Sequence, residues 1–321
     1  MSLPRVLPEW AYPSPGLLFA SLLLAHVLDY AYPYHSGFLL SIHPVHTAFV
    51  AAKKLAPPRS SRTRGVVAWL VVVTSHLGLY SLLLYTAYLV SPWAWVLAAA
   101  WVLKTSFSLR LLLESVAQVA EHLEAGRLDE ARRVAQGLVR RNVYVLGPGH
   151  VASAALESLS ESLVDGYTSP LLYAVLLGPL GALFQRIVNT LDGALGFKTP
   201  EYLEAGWLSA KMDTVVNYVP ARLTALLLVL LSPLIGGDPG RAYSVWRRYS
   251  GVTESVNAGH PMSSLAGALG VVLEKPGHYK LGQGRLPSAT DIRRGVRLVA
   301  LAALLWLCAV AALLALAMAL G

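Results

Sequence analysis

The chain carries a single cysteine, Cys308, among 321 residues. One thiol can form neither an intrachain disulfide nor a thiolate metal cluster, so cysteine chemistry is excluded. Charge is scarce too: 14% of residues are Asp, Glu, Lys or Arg against 55% hydrophobic, and the mean hydropathy is positive. These values lie outside the range of ordinary soluble domains and identify an integral membrane protein. No Pro/Ser-rich linker divides the sequence, which reads as one membrane domain over 1–321. The common phosphate and hydrolase signatures are also missing: there is no GxxxxGK[ST], no GxGxxG after a strand, no HExxH and no GxSxG. Any phosphate site must be of another design.

The net charge of +8 does not point to nucleic acid, because the basic residues fall in short loops between apolar runs, where they set topology. The first apolar run, Gly16 to Leu28, follows Trp10 and Tyr12 with only Arg5 as an upstream charge, and reads as a retained helix rather than a signal peptide. Gly65 to Leu103 is too long for one crossing of a roughly 30 Å hydrocarbon core and should fold back at Ser91-Pro92. Lys53, Lys54, Arg59, Arg62 and Arg64 precede this hairpin and Lys104 and Arg110 follow it, which places both of its ends in the cytoplasm. From Ser106 to Asn142 the pattern turns amphipathic, with Gly126 as a helix stop, giving a water-facing helical pair in a cytoplasmic region at about 105–165. Val296 to Leu320 is a further crossing after Arg293, Arg294 and Arg297.

Two runs are short: Ser169 to Phe184, broken by Gly178-Pro179, and Leu223 to Ile235, ending at Ser232-Pro233. Both are expected to be re-entrant, since broken backbone at membrane depth is tolerated where protein or a water-filled cavity satisfies it. The expected fold is an all-α, polytopic protein of the cell membrane. It has about four full transmembrane helices, re-entrant or short segments, a cytoplasmic helical pair and lipid as its surroundings.

Polar chemistry gathers in three stretches. Glu157, Glu161 and Asp165 recur every four residues, one stripe of a helix opposite Leu156, Leu159 and Leu163; this suits either a solvated acidic face or a magnesium site. Between Arg186 and Arg222 cations, amides and acids interleave: Arg186, Asn189, Asp192, Lys198, Lys211, Asp213, Asn217 and Arg222. Polar groups at a membrane border need partners and mark function. The third stretch, ESVNAGHPMSSLAGALG, supplies Glu254, Asn257, His260, Ser263 and Ser264 as donors and acceptors, with Gly259, Gly267 and Gly270 permitting close backbone approach to a ligand. His43 and His46 are read as packing or helix termination, and His76 as a side chain bonded to a neighbouring helix.

Together these segments resemble the adenosylcobinamide-phosphate synthases, the CobD/CbiB family of cobalamin biosynthesis. The resemblance rests on Asp29, His43-Pro44-Val45, Glu157 to Gly166, Asn189-Thr190-Leu191-Asp192 with Gly196 and Lys198, Gly206-Trp207, NYVPARL from Asn217, and ESVNAGHPMSSLAGALGV followed by LEKPGHYKLG. It implies a ligase that uses ATP and Mg2+ at the cytoplasmic face. The enzyme would join the corrinoid substrate adenosylcobyric acid to aminopropanol phosphate, or to aminopropanol, beside other membrane enzymes of the late pathway. On that reading Asp192, Glu254 and His260 are the catalytic candidates, with His260 or Glu254 deprotonating the amine. Arg186, Asn189, Lys198, Lys211, Asn217, Arg222 and Asn257 would bind substrate or nucleotide, and Glu157, Glu161, Asp165 and Asp213 the metal. The sequence departs from the family pattern at His46, Asn142, Ser162 and Thr214, each change removing a charge or polar group. The competing expectation is a divergent paralogue that binds or carries a small molecule, for which broken helices also serve.

Overall fold

The computed structural model describes residues 7–320. In chain order the elements are α1 (Pro15–Ala31), α2 (Gly37–Ser41), α3 (Pro44–Leu55), α4 (Arg62–Val90), α5 (Pro92–Ser106), α6 (Leu109–Glu124), α7 (Leu128–Leu138) and α8 (Pro148–Leu163). A π-helical turn, Val164–Thr168, leads into α9 (Ser169–Leu195), α10 (Trp207–Val216) and α11 (Tyr218–Leu231), and a 3-10 turn, Ser232–Ile235, into α12 (Pro239–Tyr249) and α13 (Gly259–Leu269). Two short strands, β1 (Val272–Lys275) and β2 (Tyr279–Gly282), precede the long α14 (Ala289–Leu320). The protein is all-α and multi-pass: five helical runs are long and apolar enough to cross a membrane, at Arg62–Val90, Pro92–Glu124, Pro148–Leu195, Tyr218–Ile235 and Ala289–Leu320, and α1 is a shorter apolar helix. The Leu223 run gains length at its start, whereas helical geometry in the Ser169 run is interrupted at Gly178. The Leu223 run begins at Tyr218, and the Ser169 run passes Arg186, Asn189 and Asp192 before ending at Leu195.

The chain forms two compact units. The first comprises Met1–Ser108, Ser169–Val216 and Leu307–Gly321. Its helices are punctuated by side chains the sequence places at their ends. Ser14 Oγ accepts from Leu17 N–H to open α1, and Ser61 Oγ accepts from Arg64 N–H to open α4. Ser91 both ends α4 and caps α5, accepting from Ala94 N–H at 3.0 Å with Pro92 at the first helical position. The expected hairpin therefore turns on one residue. Ala48, Ala52, Trp69, Val72, Trp95, Ala99, Leu183, Ile187 and Leu191 form the core where α3, α4, α5 and α9 pack. The outward side of α4 exposes Leu79, Leu82, Leu89 and Val90. So much exposed aliphatic surface on one helix is what a lipid-facing element requires. His76 bonds across to α3, its Nε2 lying 3.0 Å from Thr47 Oγ1.

Within this core Lys104, in the last turn of α5, meets Asp29 of α1 at 3.2 Å, with side chains only 4% and 6% exposed. In α9, Gly178 adopts φ +71° immediately before Pro179, so the helix breaks there.

The second unit comprises Leu109–Thr168 and Asn217–Trp306. Gly126, at φ +70°, ends α6 and sends the chain back into α7, the amphipathic pair expected from the sequence. Helix α8 is the unit's centre: Val151 through Ser160 are all buried. The antiparallel β1–β2 hairpin packs on α8, and α13 packs against both α11 and α12.

Candidate functional site

In the first unit, residues singled out in the sequence meet along α9. Along α9, Arg186, Asn189 and Asp192 are three residues apart and so share a face. Arg186 Nη1 donates to Asn189 Oδ1 at 3.2 Å, and Asn189 Nδ2 donates to Asp213 Oδ1 of α10 at 3.1 Å. The Asp192 carboxylate folds over Gly196, where a Cβ would lie 1.8 Å from Oδ1. Glycine is thus required if Asp192 is to keep this orientation. Lys198, after the helix, and Lys211, on α10, are exposed.

His43 belongs to the same neighbourhood, which its position in the sequence does not reveal. It caps α3 through Nδ1, which accepts from Val45 N–H at 3.3 Å, and its ring lies 4.6 Å from that of His35. Burial first, then the positive surroundings of His35, Arg186, Lys104 and His46, lower its pKa from 6.5 to about 3. The folded protein therefore holds His43 neutral and binds fewer protons there than the unfolded chain. The contribution is fully present above pH 6.5 and is lost as pH falls through that value towards about 3. The variant His43→Asn, which keeps a capping acceptor, is expected to lose less stability than the parent across that window; thermal unfolding at stepped pH checks this.

In the second unit, two polar groups contain residues singled out in the sequence. In one, Arg222 of α11 stacks over the Tyr218 ring, 3.4 Å from its centroid, and Nη1 donates to Tyr218 O at 2.7 Å and Asn257 Oδ1 at 3.3 Å. His260, in the first turn of α13, accepts from Trp246 Nε1–H at Nδ1, 2.8 Å away. Burial and then the Arg222 charge lower its pKa to about 4. Asn217 is fully buried where α11 begins, and Glu254 lies on an exposed turn with its Oε1 3.7 Å from His278 Nδ1.

The other group surrounds Glu157, expected as a metal ligand. Arg141 Nη1 and Nη2 donate to its two oxygens at 2.7 Å each, Ser153 Oγ donates at 2.7 Å and Tyr279 O–H at 2.7 Å. Burial, reinforced by Glu157, pushes the Tyr279 phenol above its usual pKa, so it remains a donor. The Glu157 oxygens are committed to protein partners. Glu161 and Asp165 are half-buried on α8 and in the π-helical turn. Among the described residues no group of three or more His, Cys, Asp or Glu side chains is placed to hold a metal ion.

Several small and hydroxyl residues of the third stretch take part in close packing and in-helix hydrogen bonds. A Cβ on Gly259 would lie 2.1 Å from Ser250 O, and one on Gly267 would lie 2.7 Å from Ala242 Cα where α12 crosses α13. Gly270 ends α13 at φ +71°. Ser263 donates to Gly259 O and Ser264 to His260 O, both within their own helix.

The family model described as CobD/Cbib protein matches residues 22–299 of this chain. A protein named probable cobalamin biosynthesis protein CobD from Aeropyrum pernix is 47% identical over 98% of each chain. Another of that name from Thermococcus kodakarensis is 37% identical over 79% of this chain and 80% of its own. The cobalamin biosynthesis protein CobD of Mycobacterium tuberculosis is 40% identical over 56% of this chain and 60% of its own. No solved structure matches.

Proposed function

Because the chain belongs to the CobD/CbiB family and so to cobalamin biosynthesis, we propose that it is the ATP-dependent amide ligase that joins adenosylcobyric acid to aminopropanol phosphate, or to aminopropanol, at the cytoplasmic membrane face. The observation that carries this reading is the run of cation, amide and acid along α9, Arg186, Asn189 and Asp192, tied to Asp213 of α10. A carboxylate and an amine do not condense unaided in water, so the acid must first be activated. The propionate oxygen attacks the γ-phosphorus of ATP, and the bridging bond breaks with its electron pair leaving on ADP. The amine then attacks the acyl carbon, a C–N bond forms, and phosphate departs with the C–O pair while the amine's surplus proton is released.

Arg186 supplies a fixed positive charge for a phosphoryl or carboxylate oxygen, with Lys198 and Lys211 as further cations. A magnesium ion brought by a nucleotide needs only one or two protein carboxylates, and the hard oxygen donors Asp192 and Asp213 suit it. When bound it neutralises phosphate charge as the transferred group develops it.

The test is incubation of the detergent-solubilised protein with adenosylcobyric acid, magnesium-ATP and either amine, with mass spectrometry for the amide. Asp192→Asn is expected to abolish product, and Gly196→Ala, which displaces the Asp192 carboxylate, to reduce it sharply while the protein stays folded. If neither amine yields product although corrinoid binds, the ligase reading fails. The break at Gly178-Pro179 would then favour a carrier or binding protein.

A further inference from the structure

His260 is the residue whose chemistry the structure constrains most tightly. Its Nδ1 lies 2.8 Å from Trp246 Nε1, and an indole nitrogen can only donate. Nδ1 must therefore be the bare, accepting nitrogen, and in the neutral ring the proton sits on Nε2. Two further features keep the ring neutral. It lies in the first turn of α13, where the unsatisfied N–H groups disfavour an added positive charge. Burial and the guanidinium of Arg222 also act against imidazolium, lowering the pKa to about 4. A neutral imidazole with its proton on Nε2 cannot accept a proton there, and its other nitrogen is already engaged.

We infer that His260 acts not as a base but as a fixed hydrogen-bond donor, offering Nε2–H beside Arg222 to a carboxylate or phosphoryl oxygen of the substrate, with Trp246 as the positioning residue that sets its tautomer. The inference rests on the ligase reading for the identity of that substrate, but not for the tautomer. A donor aimed at an oxygen that gains charge during acyl activation or its collapse lowers the barrier without any proton transfer. The proton that the amine gives up therefore leaves by another route.

Two independent readouts test this. Nitrogen-15 NMR of ring-labelled histidine, with His260 assigned by its loss in His260→Gln, is expected to show Nδ1 unprotonated and Nε2 protonated at neutral pH. In Trp246→Phe, which keeps an aromatic ring but removes the N–H, a population with the proton on Nδ1 should appear. In the ligase assay His260→Ala should lose about 100-fold or more in turnover, the usual effect of removing one such donor. His260→Gln, whose amide N–H can replace Nε2–H, should keep most activity. If the NMR finds Nε2 bare, or if the Gln variant is as inactive as the Ala variant while still folded, the donor role is overturned. Should the unmodified protein make no amide at all, the ligase reading fails. The donor role is then decided by the NMR together with the shift of the His260 Nε2 signal on titrating adenosylcobyric acid and aminopropanol phosphate separately: movement supports it and silence with both overturns it.

Discussion

Replacing Arg141 with methionine is expected to cost about 3–5 kcal/mol of stability, because it leaves a buried carboxylate without its counter-charge. The Glu157 side chain is only 3% exposed, and both of its oxygens accept from the Arg141 guanidinium. Ser153 and Tyr279 would still donate to it, but neutral donors do not replace a charge. The companion change Glu157→Gln, made in the same chain, removes the stranded charge while keeping an acceptor oxygen for one hydroxyl and an amide donor that the other can accept. The double variant should recover much of the loss. Thermal unfolding of the four proteins of this cycle in one detergent measures the effect. Equal midpoints for Arg141→Met and the parent would show that the pair adds nothing to the fold. A pair that matters strongly when broken is not thereby a strong net stabiliser; taking both charges from water has a large cost of its own.

The second large effect is expected in the other unit. Lys104→Met should destabilise by a similar amount, about 3–5 kcal/mol, since the Asp29 carboxylate would lose a cation 3.2 Å away in the core. Asp29→Asn alone should also be costly, because the ammonium of Lys104 is equally buried. The double variant Lys104→Met with Asp29→Asn should lie closer to the parent than either single change. Urea unfolding in detergent, followed by tryptophan fluorescence, gives the comparison; additive losses in the double variant would mean the two residues do not act as a pair.

Much of the fold was legible because it is written in local pattern. Ser91-Pro92 within a long apolar run announces the α4–α5 turn, Gly126 announces the end of α6, and the polar His76 in an apolar helix announces a bond to a neighbour, found at Thr47. The motifs that resemble the family were equally plain, since each is a continuous string. What spacing could not supply was partnership across long separations. Periodicity puts Glu157 on a helix face but cannot say that Arg141 and Tyr279, the latter 122 positions away, will claim its oxygens. Nor can it separate a glycine that admits a ligand from one that admits another helix, as Gly267 does with α12. His43 reads as packing or helix termination, whereas it opens α3 as its N-cap, and its place among His35, Lys104 and Arg186 follows only from packing. A helix can continue past the end of its apolar stretch when its polar residues find partners, as Asn189 does with Asp213.

The one-residue turn at Ser91 has a mechanical consequence. A joint with no spare chain transmits force rather than absorbing it, because sliding α4 along α5 would uncouple the end of one helix and the start of the other together. The hairpin is a stiff strut. In the same unit the helical ladder is interrupted at Gly178-Pro179 of α9. That interruption lies two turns before Arg186, so the residues Arg186, Asn189 and Asp192 are carried on a helical piece that starts afresh at Pro179, beside a strut that allows no such break.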